Sequence, residues 1–458
     1  MTCERSPIGT AVVLLLLATR PLAAGAPSRA EPLALWDDPQ FQRRFLGSYG
    51  VQAEVEPRVT AVEREQLEKL MPLMGSDPDE AARQLDQLTR PESSAALDFY
   101  LGNLHFQQGR LDQAAARYEA ALAKFPSFLR AQKNLGLIRV RTARFDDAVG
   151  SLSRVIELGA SDGLTYGLLG YSYAALGKFV SAESAYRSAM LLEPERMDWK
   201  LGLAQSVLEQ HKYGEAVSLC EELIAREPER AGLWLLQANA AIGLGRTLEA
   251  AQNFEIVERL GGSTPRSLQT LGDIYVNEQL WELAERAYAR RVELEGAAGA
   301  AELLRNVEML AQRGALPQAQ RLLDAYRGLP PGGLDDEARR RALKLEARIA
   351  VAGGEDAAAA GVLEQVVALD PLDGEALILL GRHHARAGDH ERAVFYYERA
   401  EGLEGHEADA RLRHAELLVK QARYAEAVPL LKRAQELKPR DEIGRYLEQV
   451  ERVARAQR

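Results

Sequence analysis

The feature that most constrains this chain is an internal repeat of 34 residues. Three columns of residues recur at this period: one of small residues, one of alanine, and one of large, mostly apolar side chains. The first column contains Gly102, Gly136, Gly170, Ala204, Ala238 and Gly272. The second contains Ala114, Ala148, Ala182, Ala216, Ala250 and Ala284. The third contains Tyr118, Leu152, Tyr186, Cys220, Phe254 and Tyr288.

The spacing of these columns has a steric explanation. Two α-helices cross closely only where the side chains between them are small, and larger side chains nearby then fill the remaining space. The first two columns therefore predict a close pair of helices in each unit, with the third column packed around their crossing. Pro126, Pro194 and Pro228 close several units, because proline lacks the amide hydrogen that would continue a helix.

The unit at residues 163–196 resembles a tetratricopeptide repeat at every expected position, including Leu169, Gly170, Tyr173, Ala182 and Pro194. This resemblance implies an all-α fold, a right-handed superhelical solenoid of helix–turn–helix units. About ten such units can be aligned in the sequence. Stacking is expected because one unit cannot bury its apolar face alone.

The register of the repeat predicts the domain boundaries. A first array covers residues 95–333, and the Pro-Gly segment near residue 330 separates it from a second array at 334–441. Residues 61–94 have the pattern of a degenerate first repeat, and residues 442–458 have that of a polar C-terminal capping helix.

Residues 1–26 differ from the rest of the chain. Arg5 supplies a positive charge, a run of 12 apolar or uncharged residues extends from Ile8 to Thr19, and small residues follow. This order is typical of a secretory signal peptide, since a membrane-spanning helix needs roughly 20 residues. We therefore expect export to the periplasm and no membrane span after cleavage. The alternative is an uncleaved inner-membrane anchor.

Composition excludes two classes of protein. The formal net charge is −10, whereas a protein that neutralises nucleic-acid phosphates is normally basic, so no nucleic-acid partner is expected. Hydrophobic residues make up 47% of the chain, which excludes a disordered protein. Cys3 and Cys220 are the only cysteines and cannot form a disulfide framework.

No pattern in the sequence predicts catalysis, and we expect neither an enzyme nor a cofactor. His383, His384 and His390 are close in sequence and suggest a metal site. However, no carboxylate or thiolate accompanies them at ligand spacing, so no metal is expected. His384 and His390 occupy repeat positions where an aromatic ring is usual, and we expect them to substitute for core rings.

Partner-binding residues are expected on the first helix of each pair, at the repeat positions that face the groove of such a solenoid. Amide side chains there can both donate and accept hydrogen bonds along a peptide, and aromatic neighbours can receive its side chains. The predicted groove residues are Phe99, Asn103, Phe106, Asn134, Tyr171, Gln205, Asn239 and Asp273. Charged residues follow on the same face beyond residue 304: Arg305, Lys344, Arg348, Arg382, Arg386 and Arg413.

Asn103 and Asn134 resemble the asparagine pair of the carboxylate-clamp repeats, which capture chaperone C-termini. The basic partners of that clamp are missing, since Phe99 stands where lysine is expected. Leu164 and Leu168 likewise replace the distal basic residues. A C-terminal carboxylate is therefore not expected as the ligand.

A second candidate surface precedes the repeats, in residues 27–60. This segment does not follow the period and concentrates aromatic residues in a chain that contains only 6% of them. Exposed rings of this kind are costly unless they pack against something. The segment is expected either to cover the first repeat or to dock a partner. The docking candidates are Trp36, Phe41, Phe45 and Tyr49.

Residues Trp36–Pro57 resemble the opening of bacterial periplasmic repeat proteins of TonB energy-transduction systems. The resemblance extends over roughly residues 36–290. It implies a role beside the inner-membrane proteins ExbB and ExbD and the transducer TonB, in support of uptake through outer-membrane receptors. The repeat pattern alone does not imply TonB.

The sequence therefore predicts a non-enzymatic periplasmic adaptor that binds proteins and assists a TonB-type assembly. A scaffold for envelope polysaccharide export or for assembly of a secretion machine is the alternative. A third hypothesis, from another class, is an enzyme whose catalytic part lies in the divergent region 300–340. That stretch is too short to hold a fold of its own.

The register of the repeat can be tested at Ala182. Replacing Ala182 by Trp should overpack the contact between the paired helices and destabilise that repeat by several kcal/mol. Thermal melting followed by circular dichroism measures the loss. A melting curve that overlays the wild type would show that the register is wrong.

Overall fold

The regular structure of the chain is helical in the computed structural model, which describes residues 56–160, 162–330, 336–354 and 356–456. No strand occurs in these residues, and the predicted all-α fold is confirmed. The predicted signal peptide lies outside the described residues. So do Trp36, Phe41, Phe45 and Tyr49, and their roles stay predictions.

The chain separates into two compact units, Met1–Arg246 and Thr247–Arg458. The described helices of the first unit are α1 (Ala61–Ser76), α2 (Pro78–Leu88), α3 (Ala95–Gln107), α4 (Leu111–Lys124), α5 (Leu129–Arg141), α6 (Phe145–Glu157), α7 (Gly163–Ala175), α8 (Phe179–Leu192), α9 (Met197–Glu209), α10 (Tyr213–Arg226) and α11 (Ala231–Gly243). Those of the second unit are α12 (Thr247–Arg259), α13 (Pro265–Asn277), α14 (Trp281–Glu295), α15 (Ala300–Gln312), α16 (Leu316–Arg327), α17 (Asp336–Ala352), α18 (Asp356–Leu369), α19 (Gly374–Ala387), α20 (His390–Glu401), α21 (Glu407–Lys420), α22 (Tyr424–Leu437) and α23 (Asp441–Ala456). A short 3₁₀ helix, Gly296–Gly299, joins α14 to α15.

Consecutive helices pack as hairpins that follow the predicted period. In the first unit the hairpins are α1–α2, α3–α4, α5–α6, α7–α8 and α9–α10. In the second unit they are α13–α14, α15–α16, α17–α18, α19–α20 and α21–α22. Helices α1 and α2 span the segment predicted as a degenerate first repeat, and α23 spans the predicted capping helix.

The boundary between the two units falls between α11 and α12, the two helices of the sequence repeat at 231–264. The sequence instead predicts the boundary between the two arrays at the Pro-Gly segment near residue 330. Residues 331–335 of this segment are not described. The division into arrays at 95–333 and 334–441 therefore stays a prediction.

Close packing within a hairpin depends on the glycines of the first column. A Cβ atom on Gly102 would lie 2.7 Å from the ring of Tyr118, and one on Gly170 would lie 2.9 Å from the ring of Tyr186. Real Cβ atoms essentially never approach so closely. The six alanines of the second column are fully buried, and the six large residues of the third are at most 3% exposed. These observations confirm the prediction that small residues let the two helices of a hairpin cross closely and that large side chains pack around the crossing.

In every hairpin except α1–α2, and also between α11 and α12, the turn that joins the two helices contains one residue with a left-handed backbone. These residues also recur with the period of the repeat: Gly109, Ala143, Gly177, His211, Gly245, Gln279, Gly314, Gly354, Gly388 and Ala422. Glycine adopts this conformation freely, whereas a residue with a Cβ atom pays about 1 kcal/mol or more. Four of the ten turns therefore carry backbone strain, with φ between 57° and 61°.

The strain predicts a stabilising substitution at the turn between α5 and α6. Ala143→Gly should raise the free energy of unfolding by roughly 0.5–1 kcal/mol, because relief of the left-handed strain exceeds the extra entropy of glycine in the unfolded chain. Urea unfolding followed by circular dichroism measures the change. The matched control is Gly177→Ala in the next hairpin, where a Cβ would meet open space at φ 70°. It should destabilise by a similar amount, and a lower unfolding midpoint for Ala143→Gly would contradict the interpretation.

Candidate functional site

The first helices of successive hairpins contact one another in the first unit, where α5 packs against α7 and α7 against α9. Helices α9 and α11 share one apolar cluster. Side chains at equivalent positions of these helices therefore lie along one surface. We define the first-helix wall as six partly or fully exposed residues of α7, α9 and α11. Three are predicted groove residues, Tyr171, Gln205 and Asn239, and three are leucines of the same helices, Leu164, Leu201 and Leu235.

Tyr171, Gln205 and Asn239 are the predicted groove residues that belong to the first-helix wall. Tyr171 and Gln205 are half-buried and Asn239 is exposed. The ring of Tyr171 makes an edge contact with the ring of Phe145, with centroids 5.9 Å apart. Burial raises the pKa of the Tyr171 hydroxyl, so it is protonated and able to donate at neutral pH. Their contact with a partner stays a prediction.

Asn103 and Asn134 are brought together, but inside the protein. Both are only 6% exposed, and they form a buried triad with Tyr118. The Tyr118 hydroxyl donates to Asn103 Oδ1 at 2.6 Å, and Asn134 Nδ2 donates to the same oxygen at 3.2 Å. Burial raises the pKa of Tyr118 and keeps the donor protonated. The Asn103 oxygen and the Asn134 amide nitrogen are therefore used inside the protein, across adjacent hairpins, where an unpaired buried group would be costly.

Phe99 and Phe106 belong to the core rather than to an open groove. Phe99 is 3% exposed, and its ring lies 4.9 Å from that of Phe128 and 5.7 Å from that of Tyr118. Phe106 is half-buried against the same cluster. At α3 the predicted aromatic pocket is thus filled by the protein itself.

Asp273, in the second unit, makes the same kind of contact as Asn103. The Tyr288 hydroxyl donates to Asp273 Oδ1 at 2.8 Å, and Gln269 Nε2 donates to that oxygen at 2.9 Å. Burial of the carboxylate, which outweighs these two hydrogen bonds, raises the pKa of Asp273. The Asp273 residue as a whole is nevertheless exposed to solvent. The Asp273 carboxylate therefore accepts hydrogen bonds within its own hairpin and is also accessible to a partner.

Comparison with known families identifies these hairpins. Two models described as tetratricopeptide repeat match the chain, one at residues 75–115 and 99–163 and the other at 173–240. Residues 75–163 and 173–240 thus match tetratricopeptide repeats. A third model, described as anaphase-promoting complex, cyclosome, subunit 3, matches residues 354–434.

Curated relatives match over short stretches. The Hsp70-Hsp90 organizing protein of Triticum aestivum is 30% identical over 105 residues, which are 23% of this chain and 18% of that protein. Intraflagellar transport protein 70A of Xenopus tropicalis is 25% identical over 158 residues, which are 34% of this chain and 24% of that protein. The match thus spans less than a quarter of the length of either relative. Among solved structures, the C-terminal part of a TPR repeat-containing protein from Cytophaga hutchinsonii is 14% identical with a TM-score of 0.44, and covers 53% of this chain and 98% of that one.

The hairpins contain a sequence relationship that the groove prediction did not use. Asn103 and Asp273 each lie 15 residues before a tyrosine of the third column, and each accepts a hydrogen bond from that tyrosine. Gln205 lies 15 residues before Cys220, which has no hydroxyl and is fully buried. At Gln205 the ninth repeat position therefore lacks the tyrosine donor that Asn103 and Asp273 have.

The repeats of the second unit carry charges of both signs on their first helices. Arg348 lies 3.6 Å from Glu308, Arg413 pairs with Glu416 at 2.9 Å, and Lys344 pairs with a carboxylate of the next hairpin. The predicted basic positions are thus largely neutralised by acidic neighbours. This face offers less unpaired binding chemistry than the first-helix wall.

The histidine and cysteine side chains are structural where they are buried. His384 is 7% exposed and stacks on Tyr396, with ring centroids 5.4 Å apart, which confirms its prediction as a core ring. The same prediction is wrong for His390, which is exposed because it begins α20. Burial raises the pKa of the Cys220 thiol to about 12, so the thiol is unreactive at neutral pH. Within the described ranges, no cluster of histidine, cysteine and carboxylate side chains could hold a metal ion.

A cavity of about 300 Å³ lies between α12, α13 and α14 in the second unit. Its polar lining consists of glutamates and arginines around Tyr275, whose hydroxyl donates to Glu255 at 2.5 Å. Arg259 also lies 3.5 Å from Glu255. The lining contains two glutamates and two arginines, so its formal charges balance one another. Among the described helices, none combines the length and the apolar composition needed to cross a bilayer.

The raised pKa of Asp273 predicts a pH-dependent effect of Asp273→Asn. A carboxyl whose pKa is raised by folding stabilises the protein below its unfolded pKa of about 3.9, and this contribution is lost as pH rises through the folded value. Asparagine keeps the acceptor for Tyr288 without the charge. The variant should therefore be more stable at pH 7, by less than about 1 kcal/mol because the residue is partly exposed.

Urea unfolding at pH 7 and at pH 3 measures this effect, and the difference from wild type should shrink at pH 3. The matched control is Asn103→Asp, which places a carboxylate beside Tyr118 and should destabilise at pH 7 and less at pH 3. A lower midpoint for Asp273→Asn at pH 7 would contradict the assigned direction.

Proposed function

We propose that this chain is a non-enzymatic adaptor that binds an extended segment of another protein on the first-helix wall. The observation that carries this proposal is the accessibility of Leu164, Leu201 and Leu235, which are only half-buried although Leu203 and Leu233 beside them are 1% exposed. A partner that covers these leucines gains about 25 cal/mol for each Å² of apolar surface removed from water. Apolar residues at the centre of an interface commonly supply most of its binding energy.

The polar residues of the wall support an extended rather than a compact ligand. Gln205 and Asn239 occupy equivalent positions of α9 and α11, one repeat apart. Packed helices lie roughly 8–10 Å apart, which is close to the rise of three residues in an extended chain, about 10 Å. Each amide can both donate to and accept from a peptide group. An extended segment could therefore meet one amide every third residue.

We further propose that the adaptor works in the periplasm as an accessory of a TonB–ExbB–ExbD assembly. The charge and apolar pattern of residues 1–26 supports export. The resemblance of residues 36–290 to periplasmic repeat proteins of TonB systems supports the choice of assembly. A segment of TonB or ExbD is then the expected ligand of the wall.

Titration of the mature chain, beginning at residue 27, with the purified periplasmic domains of TonB and ExbD tests this proposal. We expect saturable binding of one domain with a Kd in roughly the micromolar range, measured by isothermal titration calorimetry. Leu201→Glu combined with Leu235→Glu should weaken binding at least about tenfold, because it places two charges on the surface that the partner must desolvate.

The matched control for this titration is Val180→Glu combined with Leu191→Glu. Both residues lie on α8 and are 72% and 84% exposed, so the control makes the same charge change away from the wall. It should leave the affinity unchanged. Equal losses of affinity in the two double variants would refute the proposal that the partner binds on the first-helix wall. If neither domain binds, the TonB proposal fails. Photo-cross-linking in cells from position 205, with position 180 as the control, then tests the adaptor proposal alone, which fails if the two positions cross-link equally.

A further inference from the structure

The cavity between α12, α13 and α14 lies beside a repeat position that has lost its apolar side chain. Five of the six units between residues 95 and 298 have an aliphatic residue at this position, late in the second helix: Leu122, Ile156, Met190, Ile224 and Val292. Each of the five is buried or packs against a buried apolar cluster. In the unit at 231–264 the same position is Glu258, which is exposed and lines the cavity.

Comparison with an earlier part of the chain shows what the aliphatic side chain does. One apolar cluster of α6, α7 and α8 contains Ile156, Leu169, Tyr173 and Ala185. The residues three periods later all line the cavity: Glu258, Leu271, Tyr275 and Ala287. Three of these four are identical to their counterparts, and only Ile156 is replaced. The cavity of about 300 Å³ therefore marks the place that an aliphatic side chain fills elsewhere in the repeat.

The charged groups of the cavity are of two kinds. Glu255 is engaged within the protein, since the Tyr275 hydroxyl donates to it at 2.5 Å and Arg259 lies 3.5 Å from it. Glu258 on α12 and Arg286 on α14 are exposed, and their side chains form no hydrogen bond or ion pair with the residues that the structure describes. Burial is the main cause that raises the pKa of the Tyr275 hydroxyl. The charges of Glu258 and Arg286 shift that pKa in opposite directions, so both act on the same space.

We propose that this cavity binds a free α-amino acid with an aliphatic side chain, such as leucine. The side chain of the ligand takes the place of the missing aliphatic residue, against Leu271 and Ala287. The ammonium group of the ligand pairs with Glu258, and its carboxylate pairs with Arg286. A volume of about 300 Å³ is at the lower end of the range for small-molecule sites, which suits a ligand of this size.

The two opposite charges favour a zwitterion over other apolar ligands. An apolar side chain of a partner protein fills the same space but brings neither charge, and a fatty acid or an amine brings only one. The lining residues all belong to the second unit, whereas the first-helix wall belongs to the first. The amino-acid site therefore stands or falls separately from the adaptor proposal.

Isothermal titration calorimetry of the mature chain with L-leucine, L-isoleucine and L-methionine tests the site. We expect saturable binding of at least one of them, with a Kd in roughly the millimolar range. The amide of that amino acid lacks the carboxylate, and its N-acetyl form lacks the ammonium group. Each should bind at least about fivefold more weakly, because a hydrogen bond to a charged group is lost. Absence of saturable binding, or equal affinity for the blocked and the free forms, would overturn the proposal.

Two variants assign the binding to the cavity. Glu258→Leu restores the aliphatic residue of the other units and should weaken binding more than tenfold, while a raised midpoint of urea unfolding shows that the variant is folded and the cavity filled. Arg286→Gln should weaken binding of the free amino acid about fivefold but not that of its amide. The matched control is Arg266→Gln on α13, which removes the same charge from an exposed position outside the lining. Unchanged binding by Glu258→Leu, or equal losses in the two arginine variants, would show that the ligand does not occupy this cavity.

Discussion

The structure depends on the close crossing of the two helices in a hairpin. At this crossing the first helix has a glycine, because a Cβ atom there would collide with a tyrosine ring of the second helix. In the first unit Gly102 lies under the ring of Tyr118 and Gly170 under that of Tyr186, and in the second unit Gly381 lies under Tyr397. The ring cannot move away without opening the hairpin. The tyrosine hydroxyl is thereby held near the ninth repeat position, where Asn103 accepts its hydrogen bond. The packing of the hairpin thus decides which polar side chains remain available for a partner.

The period of the sequence was sufficient to predict the helical hairpins, because the columns of glycine, alanine and large residues report a steric requirement directly. The binding residues were harder to predict, since repeat position alone does not reveal whether a polar group is used internally. Asn103 and Gln205 occupy the same position, yet only the former faces a tyrosine hydroxyl. Comparison of each ninth position with the residue 15 positions later distinguishes the two, because Asn103 precedes Tyr118 and Gln205 precedes Cys220. The turn at Ala143 was missed for a related reason, because a left-handed residue is recognised in sequence only when it is glycine.

The leucines of the first-helix wall differ from their neighbours in how far they are covered. Leu164, Leu201 and Leu235 are half-buried, whereas Leu203 and Leu233 are 1% exposed. A single accessible apolar side chain on a protein surface needs no explanation. Several that lie along one surface, with the amides of Gln205 and Asn239 beside them, are typical of an interaction site. The accessible leucines therefore support the adaptor proposal more directly than the buried Asn103 and Asn134 do.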